Sequence, residues 1–409
     1  MVTAMRHRVF ILVVVAVLRA ACAGAQAAPA APDPATVRVR IGPLWLNPTL
    51  ALTNAGIDTN VFNEAEPDQP KRDFTITVTP QSDLWLHMGR TWISGVVKED
   101  LVWYKQYASE RSGNTSYTLG WLVPLTRISF SVAGTWLKTR ERPGFEIDAR
   151  SERHEQAYNG SVEIRALSKT FFGVRGERRK VDFDKAAIFL GSSLQDELNR
   201  TLTTGALTLR HALTPLTSFT VDVAREQDRF EFSPGRDSDS NAVTFGLNFD
   251  PFAIINGSAR LGFRDFRPLS SDVPGYSGTM AEVNLSYVAL GSTKVGFQAT
   301  RDVRYSYDLS QPYYLQTSVL ASLAQQIFGP VDVEGRIGAQ RLEYRGRVSA
   351  VGPNLNRIDH VRTYGGGVGY HMGSALRVAF NVDETKRESV VDSRQYNGLR
   401  YGTKVTYGF

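Results

Sequence analysis

From about Gly42 onward the chain repeats a single theme, a run of alternating apolar and polar residues followed by a break. Ile128, Phe130, Val132, Gly134 and Trp136 fall on one phase, with Ser129, Ser131, Ala133 and Thr135 on the other. The same two-residue period returns in Val243, Phe245, Leu247 and Phe249, in Ala281, Val283, Leu285 and Tyr287, and in Leu376, Val378, Phe380 and Val382. A period of two places alternate side chains on opposite faces of a strand, whereas a helix would need 3.6. No stretch beyond the N-terminal segment sustains a helical pattern. The alternation predicts about 18 strands, at residues 43–54, 73–87, 91–105, 114–124, 126–139, 153–167, 170–184, 195–212, 216–230, 237–250, 253–266, 276–290, 293–306, 312–327, 331–345, 359–372, 375–388 and 394–409.

The breaks alternate in length as well. Tight turns fall at Gly89-Arg90, Leu125, Ser168-Lys169, Leu213-Thr214-Pro215, Pro251-Phe252, Gly291-Ser292, Phe328-Gly329-Pro330 and Gly373-Ser374, mostly with residues that favour sharp bends. Longer polar loops lie between them, Glu141 to Glu155 and Gly346 to Asp359 among the longest. An even strand count with short turns on one side and long loops on the other predicts an all-β, antiparallel, up-and-down transmembrane barrel, with its short turns in the periplasm. A sandwich would need a second apolar face and crossings of irregular length, and neither is found.

Composition then sharpens this picture. The chain has 409 residues, 42% of them hydrophobic, and a mean hydropathy of −0.23. An alternating wall between lipid and water must average near zero, so the value excludes a multi-span helical protein and leaves a barrel open. The one long apolar run, Val9 to Leu18, follows Arg6 and Arg8 and precedes small residues. That order predicts a secretory signal over residues 1–25, and ten apolar residues are too few to span a bilayer. A short Ala/Pro-rich periplasmic segment at 26–42 and the barrel at 43–409 complete the expected organisation.

Cys22, the only cysteine, would leave with the signal; the rival reading, a lipid anchor on Cys22, is disfavoured by Arg19 three residues before it. Of the 47 basic residues the signal removes Arg6, Arg8 and Arg19, leaving 44 against 41 acids. A nearly neutral exported chain with interspersed charges gives no reason to expect a nucleic-acid partner.

A barrel of about 18 strands is wide enough for water, so conduction is the default function. Charged residues on the non-apolar phase are expected to line the lumen: Glu163, Arg165, Arg175, Glu177, Arg260, Arg264, Glu282, Asp302, Arg304, Asp332, Glu334, Arg336, Arg377, Asp383, Arg400 and Lys404. Facing hydrocarbon at mid-bilayer, each would cost up to about 2–4 kcal/mol. Facing water, they either set a field that favours anionic or sugar solutes or pair across strands and stiffen the wall. Asp58 and Asn60 in the first long loop fit an Asx-turn, with a divalent-cation site as the alternative. Catalysis finds no support in the five histidines that follow the signal, and no metal cluster or cofactor motif stands at ligand spacing. Gly365-Gly366-Gly367 inside a strand reads as a thin or tightly curved piece of wall.

Two resemblances add to this. The last strand, with Tyr407 and the terminal Phe409 on its apolar phase, resembles the signal read by the barrel-assembly machinery of Gram-negative outer membranes; the plain alternative is a closing strand that happens to end in Phe. The opening Leu46-Asn47-Pro48-Thr49-Leu50-Ala51-Leu52, then Gly56-Ile57-Asp58-Thr59-Asn60-Val61-Phe62, then Phe74-Thr75-Ile76-Thr77-Val78-Thr79-Pro80 resembles the start of the putative beta-barrel porin 2 family. That resemblance implies an outer-membrane pore in contact with lipid, associated with exopolysaccharide or capsule export machinery, which passes saccharide or polysaccharide, and it offers no established catalytic residues to carry over. The competing class is a structural or adhesive barrel whose outer loops bind a partner or block the pore.

Overall fold

The computed structural model describes residues 37–408 except 251, 252, 290 and 353. The expected signal segment and the terminal Phe409 lie outside the described residues. Eighteen long strands close into one antiparallel barrel. They are β1 (Leu44–Asp58), β2 (Asp73–Met88), β3 (Thr91–Tyr104), β4 (Ser112–Pro124), β5 (Ile128–Thr139), β6 (Arg153–Arg165), β7 (Thr170–Phe183), β8 (Arg200–Thr214) and β9 (Thr217–Phe230). The second half comprises β10 (Ser238–Phe249), β11 (Ile255–Pro268), β12 (Tyr276–Ala289), β13 (Thr293–Tyr305), β14 (Tyr313–Phe328), β15 (Val331–Arg345), β16 (Ile358–Met372), β17 (Leu376–Glu388) and β18 (Tyr396–Tyr407). Each strand pairs with its sequence neighbour, and β1 pairs with β18 from Leu50–Tyr407 to Asp58–Arg400. Closure leaves the barrel without a free sheet edge along most of its height, which is what a bilayer demands of any strand that crosses it.

The alternation becomes two faces. Leu119, Val132, Phe172, Val174, Leu261, Phe263, Leu323 and Phe380 are exposed on the outside, while their chain neighbours point into the lumen. Two expectations need correction. The strand expected at 195–212 begins instead with a short helix, Leu194–Leu198, capped by the Ser193 hydroxyl accepting from the Asp196 N–H at 3.3 Å. Five residues are too few for a helical period to register against the surrounding alternation. The first strand also runs four residues beyond the expected 54, because Asn54 takes a left-handed conformation (φ 54°) that bulges the chain and lets pairing resume at Ala55. In the segment expected to precede the barrel, Val39–Ile41 forms a short strand along the lower part of β1, with Val39 opposite Leu46.

One departure from regular pairing shapes the long-loop mouth. The ladder between β12 and β13 stops at Ala281–Arg301, whereas β11–β12 continues to Phe266–Tyr276 and β13–β14 to Tyr305–Tyr313. Above that point the β13–β14 hairpin parts from β12 and packs inward, while β14 stays paired with β15 up to Tyr313–Arg345. Tyr305 lies edge-on to Phe230 at 4.8 Å, and Tyr313 packs on Phe266 at 5.0 Å. The loops after β11 and β15 pass around it, joined where Asp272 accepts from the Ser349 N–H (2.8 Å) and hydroxyl (2.9 Å).

Candidate functional site

On the inner face of β16, Gly365, Gly367 and Gly369 stand at every second position. A Cβ on Gly365 would meet Asp383 Oδ1 at 2.2 Å, one on Gly367 would meet Asn381 Oδ1 at 2.8 Å, and one on Gly369 would meet the Arg377 guanidinium at 2.5 Å. The missing side chains open a trough across which β15 and β17 join directly. Arg377 donates in bidentate fashion to Asp332 (2.8 and 2.5 Å), Asn381 donates to Glu334 (2.5 Å), and Arg336 Nε donates to Asp383 (2.8 Å). His371 reaches Asp332 at 2.7 Å from the short-turn end, and Lys404 on β18 is buried beside this set. The glycine run is thus a seat for an ion-pair ladder.

The other expected lumen residues are spread around the inner wall. Glu163 receives Arg210 at 2.8 and 2.5 Å across β7, and Arg165 and Arg210 lie over the Phe171 ring at 5.2 and 3.9 Å. Glu177 pairs with Arg179 (3.1 Å) on the strand that also carries Arg175, and Arg260 faces Glu282 at 3.6 Å. Arg264 reaches Glu226 at 2.5 Å and Asp302 at 3.1 Å. Arg400 donates to Asp58 Oδ2 at 2.7 Å beside the closing seam. Asp58 Oδ1 accepts from the Asn60 N–H at 3.0 Å, the bond of an Asx-turn, while the Asn60 amide ties Glu64 (2.8 Å) to Asn397 (3.0 Å). Tyr407 points outward and is exposed. No group of three or more His, Cys, Asp or Glu fit to hold a metal occurs among the described residues.

The long-loop mouth is covered. The loop between β5 and β6, residues 140–152, crosses it and is bonded on arrival by β17 and the loop that follows. Arg387, its side chain fully buried, donates to Phe145 O (2.7 Å), Asp148 (3.2 Å) and Asp359 (2.6 Å), and Arg394 pairs with Asp148 at 3.0 Å. The Glu146 carboxylate accepts from the Ser306 hydroxyl at 2.5 Å on the inward hairpin. Arg142 and Arg150 fasten the same loop to Val61 O at 2.7 and 3.0 Å. Ile147, Phe183, Phe189, Leu194, Leu198 and Tyr307 form an apolar cluster around these bonds. Burial pushes Glu146 up to about 7, with Ser306, Arg394, Arg387 and Arg357 opposing the shift.

Below this cover lies a cavity of about 210 Å³. Its charged lining comprises Arg153, Arg179, Arg200, Arg264 and Arg304 together with Glu146, Glu155, Glu226, Asp228 and Asp302. Only Arg264, Asp302 and Arg304 of these were expected at the site. The strand residues among the others occupy the same inward phase as Glu163 and Arg175, so the signal that finds them is the alternation itself, carried to the strand ends. Glu146 has no such signal, since a loop has no phase.

A closed 18-strand barrel with an apolar outer belt and a charged, ion-paired interior defines a porin-like outer-membrane β-barrel. The family model for putative beta-barrel porin 2 matches residues 32–409, and the chain belongs to that family. No curated relative matches the sequence. Among solved structures the chain is similar to a BenF-like porin from Pseudomonas fluorescens Pf-5, at 11% identity and a TM-score of 0.48, covering 90% of this chain and 98% of that one. It is similar also to Pseudomonas aeruginosa OccK2 (OpdF) in complex with glucuronate, at 10% identity and a TM-score of 0.46, covering 88% and 97%. The FrpB iron transporter from Neisseria meningitidis matches at 9% identity and a TM-score of 0.41, over 84% of this chain but 62% of its own length. Identities this low say nothing of cargo.

Proposed function

We propose that this protein is a passive saccharide channel gated by its own loops, with the long-loop mouth facing the cell exterior. The observation that carries the reading is the cover itself. Loop 140–152 is held across the mouth by ion pairs and hydrogen bonds to Arg387, Arg394 and Ser306, and not by any continuation of the sheet. The polar contacts can be exchanged for water, and lifting the loop, which also uncovers Ile147 and Phe145, breaks no strand pairing of the wall. The five arginines and five carboxylates of the cavity balance in formal charge and offer both donors and acceptors. That composition suits a polyhydroxylated solute better than a simple ion. A cavity of about 210 Å³ admits a small saccharide unit, so a polymer would pass only with the loop displaced.

Planar-bilayer recording of the full chain tests this. The native protein is expected to show a low, flickering conductance, and a variant lacking residues 142–150 a large and steady one. Absence of conductance from both would sink the channel and favour the second reading, a loop-bearing adhesive barrel, which the covered mouth also accommodates. For the export role, a deletion strain that still delivers its surface polysaccharide would remove that assignment while leaving the channel intact.

A further inference from the structure

The outer face of the barrel, at its long-loop rim, carries one arrangement three times. Asp239 on β10 is shared by Arg225 (3.1 Å) and Arg229 (2.6 Å) of β9. Glu343 is shared by Arg341 (3.2 Å) and Arg345 (3.4 Å) along β15. Glu388 on β17 is shared by Arg362 of β16 (3.4 Å) and Lys386 (3.2 Å). In each triad one acid stands between two cations, so the group keeps one net positive charge. The acid of each triad is less exposed than one or both of its cations: in the first, Asp239 is 24% exposed against 65% and 40%. The acid therefore fixes the two cations side by side; Arg229 is held further by donating to Asp228 O and Ser238 O, both at 2.8 Å, while the more exposed Arg225 keeps donors toward the outside.

All three triads sit where the apolar belt ends. Arg225 follows Val221 and Val223 on the outer phase, Arg341 follows Ile337 and Ala339, and Arg362 lies next outward from Tyr364. Other ion pairs of the same rim lack this excess of cations: Lys138–Glu152 (3.2 Å) and Arg267–Asp265 (2.5 Å) are one-to-one, and Lys180 stands between two acids, Asp182 (2.9 Å) and Glu231 (3.9 Å).

We infer that the three triads are docking sites for the phosphate groups of outer-leaflet lipid. The inference rests on the reading that the long-loop mouth faces outward. A lipid whose chains lie along the belt presents its headgroup at this height, and a phosphate monoester set between two fixed cations accepts charge-assisted hydrogen bonds from both. The residual charge of each triad attracts an anion, and a one-to-one pair has none to offer.

The full chain, refolded in detergent micelles, is titrated with a phosphorylated glucosamine-based lipid, with the same lipid dephosphorylated and with inorganic phosphate, and bound molecules are counted by native mass spectrometry. Three phosphate-dependent lipid-binding events are expected, weakening with ionic strength. R225Q, R341Q and R362Q should each remove one event, and R267Q none. These are exposed positions where loss of an ion pair barely affects folding, and an unchanged strand signal in circular dichroism verifies it. Equal binding of the dephosphorylated lipid, equal competition by inorganic phosphate, or an R267Q loss matching that of the triad variants would each overturn the assignment. The count involves no conductance, so its failure is distinguishable from failure of the channel reading.

Discussion

Replacing Arg387 by Met removes the guanidinium that holds the cover to the far wall. It deletes donors to Phe145 O, Asp148 and Asp359, all in a site closed to solvent. Breaking a buried ion pair from one side costs roughly 3–5 kcal/mol, because the remaining carboxylate stays desolvated. Here the lower end applies. Asp148 keeps Arg394 at 3.0 Å, and Asp359 keeps Arg357 at 3.6 Å and the Ser389 hydroxyl at 2.6 Å. The penalty is borne by the covered state, since both acids are solvated once the loop lifts. A loss of about 3 kcal/mol moves the covered-to-open ratio by about two powers of ten. Single-channel recording should show that change in closed dwell times, while the urea midpoint of the barrel stays near that of the native chain. Replacing both partners, R387M with D359N, should recover part of the effect, because no charge is then stranded at that position. Identical dwell times in R387M and the native protein would refute the reasoning, as would a collapse of barrel stability.

Other outcomes follow from the same geometry. Glu146 ionises with an ordinary pKa of 4.5 when the loop is lifted and about 7 when it is buried. The covered state therefore binds its proton more tightly, and cover stability is full below pH 4.5 and falls as pH rises to 7, by on the order of 3 kcal/mol. Conductance should rise over that window, and E146Q should flatten the profile. Gly365→Val should destabilise the barrel by about 1–3 kcal/mol, read as a lowered urea midpoint, since its Cβ would displace the Asp383 and Arg336 side chains. Asn60→Ala removes an amide that ties Glu64 to Asn397 and should cost about 1–3 kcal/mol, seen as earlier proteolysis of loop 59–72 without change in the barrel core.

Much of the wall was legible in the sequence because a bilayer enforces a strict phase. Once Ile337 is assigned to lipid, Arg336 must face the lumen, and the same holds for Arg377 beside Val378. Partners were less accessible. Asp383 meets Arg336 across an entire strand, and only Gly365 on the inner phase of that strand makes the reach possible; the glycine run was visible, but its role needed the register. The inward turn of β13 and β14 had no signature, because alternation continues through Asp302 and Arg304 whether or not β12 stays paired. Loop 140–152 was legible as long and polar, yet its course across the mouth depends on Arg387, some 240 residues away in the chain.

The short strand Val39–Ile41 bears on how the barrel closes. β18 stops at Tyr407, so it meets β1 only from Leu50 upward, and the lower part of β1 is taken by Val39–Ile41 instead. At the seam itself Gly56 lies opposite Gly402, and a Cβ on Gly56 would fall 2.0 Å from Tyr401 O. The lower margin of the first strand is thus hemmed by the residues just before it. That hem finishes the selvedge that the last strand leaves bare and denies it to strands of other chains, so the seam between first and last strands needs only seven residue pairs, two of its glycines facing each other, to complete the wall.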